Sequence, residues 1–122
     1  MYKVTVKQEF SGAHYLRGYK GKCENLHGHN WKVEATVGGN ELNEIDLLFD
    51  FGVLKKILQK ILDEIDHKLL NEHPAFVNEN PSAEKIAKFV FDGLHKEINV
   101  MNLEVVSVRV SENDSSWSEY CP

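Results

Sequence analysis

The sequence predicts an α+β fold in which an antiparallel sheet of four strands is covered on one face by two helices, in the order β-β-α-α-β-β. Three observations carry this reading. Apolar residues alternate with polar ones at both ends of the chain, apolar residues recur at helical spacing in its middle, and turn-forming clusters separate the two patterns.

Tyr2, Val4, Val6 and Phe10 alternate with Lys3, Thr5, Lys7 and Glu9, which describes a strand with one buried face. Trp31, Val33, Ala35 and Val37 repeat the pattern, closed by Gly38, Gly39 and Asn40. The stretch between them, Ser11 to Asn30, is long for a hairpin connection and rich in Gly, His and Tyr, which marks it as functional. Phe51, Leu54, Leu58, Ile61, Leu62 and Ile65 then fall on one helical stripe, with Asp50 as its N-cap. A second helix is expected from Asn80-Pro81-Ser82, with Asn80 capping and Pro81 in the first turn. Its stripe is Ala83, Ile86, Ala87, Val90, Phe91 and Leu94. Val106, Val108 and Val110 give a third strand, and a short fourth is expected around Trp117 to Tyr120 after the turn Asn113-Asp114-Ser115-Ser116.

The chain has 122 residues, 42% of them hydrophobic, which fits one domain over residues 1–122 with a single core. Lys plus Arg total 14 against 19 Asp plus Glu, a net charge of −5, with no basic run longer than a pair. That balance argues against a nucleic-acid partner. The N-terminus lacks the charged and apolar regions of a secretion signal, and no window resembles a membrane span, so a cytoplasmic protein without a membrane partner is expected. The two cysteines, Cys23 and Cys121, make no disulfide framework, and both are expected to be thiols there.

His27 and His29 stand two residues apart at the entrance of the second strand, so both rings project to one face. His14 lies at the far end of the first strand and reaches the same place if the two strands form a hairpin. Three histidines with a free fourth position are what catalytic zinc requires. Cys23 leaves two outcomes open, because as a fourth ligand it makes the site closed and structural. Glu112 keeps the parity of Val106, Val108 and Val110, so if the strand continues, a carboxylate emerges where a hydrophobe is expected and needs a partner. If the strand has ended, Glu112 is simply solvated. Asp66 and His67, read as adjacent positions at a helix end, point about 100° apart and need not touch. His73 and His95 read as solvated surface, Cys121 as incidental, and Glu84 as favourable to the helix dipole.

The motifs Phe10-Ser11-Gly12-Ala13-His14, Cys23-Glu24-Asn25-Leu26-His27-Gly28-His29-Asn30, Asp50-Phe51-Gly52-Val53-Leu54-Lys55, Asp66-His67-Lys68-Leu69-Leu70-Asn71, Asn80-Pro81-Ser82-Ala83-Glu84 and Val110-Ser111-Glu112 occur in this order. Together they resemble the 6-pyruvoyl-tetrahydropterin synthase and 6-carboxytetrahydropterin synthase family, nearest its prokaryotic 6-carboxytetrahydropterin branch. The resemblance implies the tunnelling fold, a homohexamer built as a dimer of trimers, and a pterin triphosphate substrate. It implies Zn²⁺ held by His14, His27 and His29, Cys23 as the catalytic base, Asp66 and His67 as catalytic partners in a proton relay, and Glu112 as the pterin anchor.

The activity implied is conversion of 7,8-dihydroneopterin triphosphate to 6-carboxytetrahydropterin, acetaldehyde and triphosphate, a lyase reaction of queuosine and deazapurine synthesis. Formation of 6-pyruvoyltetrahydropterin, dihydroneopterin cleavage toward folate, and non-catalytic binding of pterin or zinc are the alternatives. Glu24 stands three residues before His27, where members of the cleaving branch carry a Glu, usually without the Cys; it reads as an ordinary exposed loop residue, with a second base or a marker of dual activity as the alternatives. Arg17, Lys20 and Lys22 are candidates for the triphosphate.

Overall fold

The computed structural model describes residues 1–21 and 24–122. Strand β1, Tyr2–His14, pairs antiparallel with β2, His27–Gly39, in one uninterrupted register from Tyr2↔Gly39 to His14↔His27. Both strands reach further into the Ser11–Asn30 stretch than the apolar alternation predicts. The reason is that Gly12, His14, His27 and His29 keep the strand parity while breaking the apolar one.

Helix α1, Phe51–Leu62, starts at Asp50, whose carboxylate accepts the Val53 N–H at 3.0 Å. Strand β3, Lys68–Leu69, follows, then two turns of 3₁₀ helix, α2 at Ala83–Ile98, β4 at Glu104–Asn113 and β5 at Ser116–Tyr120. The sheet is therefore five-stranded, in the order β3-β1-β2-β4-β5. It is also mixed: β3 runs parallel to β1 at Gly12 and Ala13, while β2, β4 and β5 follow antiparallel. This corrects the expected four antiparallel strands and their order. Lys68-Leu69 is too short to show any alternation, so only its tertiary docking makes it a strand.

The sheet's inner face carries Val6, Phe10, Trp31, Val33, Ala35, Val37, Val108 and Val110, all buried. The helices close over it with Leu54, Leu58 and Leu62 from α1 and with Ile86, Val90, Leu94 and Ile98 from α2. Burial of these side chains supplies the main driving force, about 1.5–3 kcal/mol for each large one. Phe51, placed on the stripe by its spacing, is instead 58% exposed at the helix start. Ile65 is buried, but from the turn after α1.

A bulge in β4 changes a second expectation. Thr36 pairs with Ser107 but Val37 with Val105, so Val106 is the extra residue. Val105 takes the core position and Val106 is displaced toward Gly38, where a Cβ would meet its Cγ2 at 2.9 Å.

The start of α2 differs too. Ser82, not Asn80, is the N-cap: its hydroxyl accepts the Lys85 N–H at 3.2 Å, and Pro81 lies outside the helix. Replacing Ser82 by Ala is therefore expected to lower stability by about 1 kcal/mol. A urea titration followed by circular dichroism checks this, and an unchanged midpoint contradicts the capping assignment.

Candidate metal centre

His14, His27 and His29 continue the core face of the β1–β2 hairpin one step beyond Phe10 and Trp31. The register explains it: Phe10 opposes Trp31, Gly12 opposes His29 and His14 opposes His27, so these side chains share one face. Trp31 forms the floor, with its ring centroid 4.9 Å from both His14 and His29 and its indole N–H donating to the Gly12 carbonyl at 3.1 Å. The three imidazoles cluster with centroids 4.5 to 5.3 Å apart. One ligand nitrogen from each lies within 4.8 Å of the others, a group that can hold a metal ion.

The hydrogen bonds around the rings set what they can bind. His14 Nδ1 donates to the Pro81 carbonyl at 2.7 Å, and His27 Nδ1 donates to the Asn25 carbonyl at 2.6 Å. A carbonyl only accepts, so both rings carry their proton on Nδ1 and, when neutral, a lone pair on Nε2. Those two Nε2 atoms lie 2.9 Å apart. Two lone pairs at that distance repel unless a cation lies between them. A shared proton serves only two nitrogens, and His29 Nε2 is a third, buried without a hydrogen-bond partner. A metal ion would satisfy all three at once, and imidazole ligands suit zinc, copper, iron and nickel alike. Burial also pushes the His14 and His29 pKa values down, opposed by the Pro81 carbonyl for His14 and by Glu112 for His29. Both are therefore neutral and ready to ligate at pH 7.

Glu112 belongs to this neighbourhood. β4 continues to Asn113, and the half-buried carboxylate comes within 3.6 Å of His29 Nε2. That is an electrostatic approach and too long for a hydrogen bond.

Asp66 and His67 form a separate pair. The chain after Leu62 is not helical, and His67 takes a left-handed backbone with φ 56°, so the two side chains are not separated as adjacent helical positions are. They touch, with His67 Nδ1 2.9 Å from Asp66 Oδ1. Both are docked on Ser11: Asp66 Oδ1 accepts its N–H at 2.9 Å, and the His67 N–H donates to its carbonyl at 2.6 Å. The Ser11 N–H first, and His67 second, hold the Asp66 carboxyl below the usual carboxylate range. His67, 80% exposed, lines an open cleft of about 440 Å³ whose walls include Gly12, Gly28 and His29. His67 thus shares the cleft with His29 but does not join the three ligand atoms.

Cys23 and Lys22 lie outside the described residues. Glu24 is exposed, with its backbone N–H bonded to the Gly21 carbonyl at 3.2 Å. Arg17 is bound to its own chain: its guanidinium donates to the carbonyls of Phe76 at 3.0 Å, Glu79 at 3.1 Å and Asn71 at 3.4 Å. His73 is half-buried rather than solvated, its ring set against Phe76 and Phe89 and its Nδ1 accepting the Ala75 N–H at 3.1 Å. His95 is exposed and Cys121 is an exposed free thiol. Glu84 accepts from the Ser118 hydroxyl at 2.8 Å, joining α2 to β5. The carbonyls of Asn25 and Pro81 are the functional groups that no sequence pattern points to, since a backbone acceptor has no signature in residue type.

The profile of the 6-pyruvoyl tetrahydropterin synthase family matches residues 3–122. The chain belongs to that family. Among its relatives, the 6-carboxy-5,6,7,8-tetrahydropterin synthase of Haemophilus influenzae is 33% identical over 143 aligned positions, covering 98% of this chain and 99% of that protein. The Bacillus subtilis protein of the same name is 31% identical, covering 99% of this chain and 86% of its own length. The solved 6-pyruvoyl tetrahydropterin synthase of Caenorhabditis elegans superposes with a TM-score of 0.81 at 26% identity, over 100% of this chain and 97% of the other. The family is one of enzymes, and its members' fold is the one found here. None of the helices among the described residues is long and apolar enough to cross a membrane.

The lowered histidine pKa values give this family member a defined acid response. An unfolded histidine takes up a proton near 6.5, whereas folded His14 and His29 resist it to lower pH. Below 6.5 the unfolded chain therefore binds more protons than the folded one, so metal-free stability falls as pH falls through that window. Urea midpoints of metal-free protein between about pH 7 and 5 are expected to decline, and a His14→Gln, His29→Gln double variant is expected to flatten the decline. An equal slope in both proteins contradicts the assignment.

Proposed function

We propose that this chain is a zinc-dependent 6-carboxy-5,6,7,8-tetrahydropterin synthase, converting 7,8-dihydroneopterin triphosphate to 6-carboxytetrahydropterin, acetaldehyde and triphosphate. The observation that carries the reading is the set of three histidine nitrogens converging on one point, two of them with lone pairs fixed by backbone carbonyls. The names of the Haemophilus influenzae and Bacillus subtilis relatives support the product.

His14, His27 and His29 hold the Zn²⁺. When bound, zinc supplies Lewis acidity that stabilises negative charge on the substrate side chain as a proton leaves carbon. The Cys23 thiolate takes that proton. A free thiol ionises near pH ~8.5, so Cys23 depends on a nearby cation to act at neutral pH. His67 exchanges protons with the thiol or solvent. Its geometry suits that role, because the contact with ionised Asp66 holds the proton on Nδ1 and leaves Nε2 in the exposed cleft without a hydrogen-bond partner among the described residues. Glu112, a carboxylate at the end of β4 beside His29, anchors the pterin by accepting from its amino group and ring N–H.

A homohexamer of two stacked trimers is supported by the sheet edges. β1 has a strand partner on its outer edge only at Gly12 and Ala13, and β5 has none beyond β4 among the described residues. Such unpaired edges invite sheet-to-sheet closure between copies. The exposed His67 is then available to a neighbouring copy's metal centre. The cytoplasm and the queuosine pathway follow the same reading. Glu24, adjacent to Cys23, favours one second reading, cleavage of dihydroneopterin to the folate precursor 6-hydroxymethyldihydropterin.

Incubation of zinc-loaded protein with dihydroneopterin triphosphate is expected to release triphosphate, with mass spectrometry identifying 6-carboxytetrahydropterin. A 6-hydroxymethyl or 6-pyruvoyl product instead selects the corresponding alternative, and no turnover rejects the enzyme. Cys23→Ala is expected to lower kcat by about 10²- to 10⁴-fold with zinc retained. X-ray absorption on the zinc-loaded wild type is expected to show nitrogen and oxygen neighbours. Sulfur in that shell makes Cys23 a ligand and overturns its role as base.

A further inference from the structure

We infer that Asn80 is a positioning residue of the metal centre: by clamping the backbone of Arg17 it holds the Pro81 carbonyl on His14 Nδ1, and so keeps the His14 Nε2 lone pair aimed at the metal. The inference rests on the reading that the three histidines bind a divalent ion.

The β-ladder runs out beside His14. Strand β3 pairs with β1 only at Gly12 and Ala13, and the chain continues past His14 with no strand beside it among the described residues. Two asparagine side chains take over. The Asn71 carboxamide accepts the Tyr15 N–H and donates to the Tyr15 carbonyl, both at 3.0 Å. The Asn80 carboxamide does the same to Arg17, at 2.8 and 3.0 Å. Each amide reproduces the donor–acceptor pair of a neighbouring strand. In return, the Arg17 guanidinium collects the carbonyls of Asn71, Phe76 and Glu79, so the whole 71–80 segment is bound to the chain that follows His14.

Pro81 is the next residue, and it has no N–H with which to fix itself. Its carbonyl meets His14 Nδ1 at 2.7 Å, so that oxygen's position is inherited from its two neighbours. Ser82 is held by α2, where its carbonyl accepts the Ile86 N–H at 2.9 Å. Asn80 is held by Arg17. Loss of the Asn80 clamp leaves that side of the proline carbonyl held only through the bond of Arg17 to the Glu79 carbonyl, one residue further back, and so loosens the only described bond that selects the Nδ1–H form of His14. Groups that orient a ligating histidine in this way typically affect metal affinity by about 10- to 100-fold.

The test uses ¹⁵N-labelled, metal-free protein, in which long-range ¹H–¹⁵N spectra report the tautomer of each histidine and His14→Gln identifies the His14 signals. Wild type is expected to hold His14 in the Nδ1–H form and Asn80→Ala to show mixed tautomers. Zinc affinity, by competition with a chromophoric chelator, is expected to fall by about 10- to 100-fold in Asn80→Ala. The visible spectrum of the Co²⁺-loaded variant is expected to shift. Asn80→Asp retains the acceptor for the Arg17 N–H but loses the donor, and is expected to fall between the two. If Asn80→Ala does not fold, Asn80→Asp carries the test with the same readouts, since it too removes the Asn80 donor to the Arg17 carbonyl. Wild-type affinity and an unchanged His14 tautomer in the folded variant overturn the inference, even if its melting temperature drops. Wild-type protein that binds neither Zn²⁺ nor Co²⁺ overturns the metal reading and this inference together.

Discussion

The candidate metal centre depends on the register of one hairpin. From Tyr2↔Gly39 to His14↔His27 the β1–β2 pairing contains no bulge, so parity established by Val6, Phe10, Trp31 and Val33 in the core carries unchanged to the histidines at the far end. A slip of one residue would move every side chain of one strand to the other face. The apolar core therefore does more than stabilise the sheet. By making a one-residue slip bury Lys32 and Glu34 and expose Trp31, it fixes the face to which the three imidazoles point.

Backbone carbonyls then refine what the register brings together. Neutral imidazole offers either nitrogen, and convergence of three rings alone does not decide which. Pro81 and Asn25 decide it for His14 and His27 by taking the Nδ1 protons. Both acceptors come from irregular segments, one before α2 and one in the connection ahead of β2. Irregular backbone has carbonyls to spare because no ladder uses them, and that is why such segments surround the site. Burial works in the same direction by disfavouring the imidazolium, so that geometry and electrostatics both deliver neutral ligands.

The second functional cluster follows opposite rules. Asp66 is held ionised by a backbone N–H and by His67 rather than neutralised by burial, and His67 is exposed in an open cleft. One end of the sheet thus carries a partly buried group of three histidines and, sharing its cleft through His29, an exposed His67 paired with an ionised Asp66. That arrangement suits a ligand-binding centre with proton exchange with solvent beside it.

Much of this was legible in the sequence because it follows from periodicity. Alternation located β1, β2 and β4, a turn cluster located β5, helical spacing located α1 and α2, and i, i+2 spacing put His27 and His29 on one face. The motif resemblance named the family. Short or irregular features stayed hidden, since they have no period to detect. β3 is two residues long, the β4 bulge replaces Val106 by Val105 in the core, and Asn80 reads as a helix cap when its amide serves Arg17. The Asp66–His67 contact was hidden for a similar reason: the left-handed backbone at His67 depends on docking against Ser11. Residue order alone was thus enough for the longer elements, the buried face and the three histidines that converge, because local spacing and hydrophobic burial are encoded residue by residue. The ring tautomers, the company of Glu112 and the separation of the two histidine sites emerged only from the folded chain. They depend on carbonyls and side chains brought together across large sequence distances, as His14 and Pro81 are, 67 residues apart.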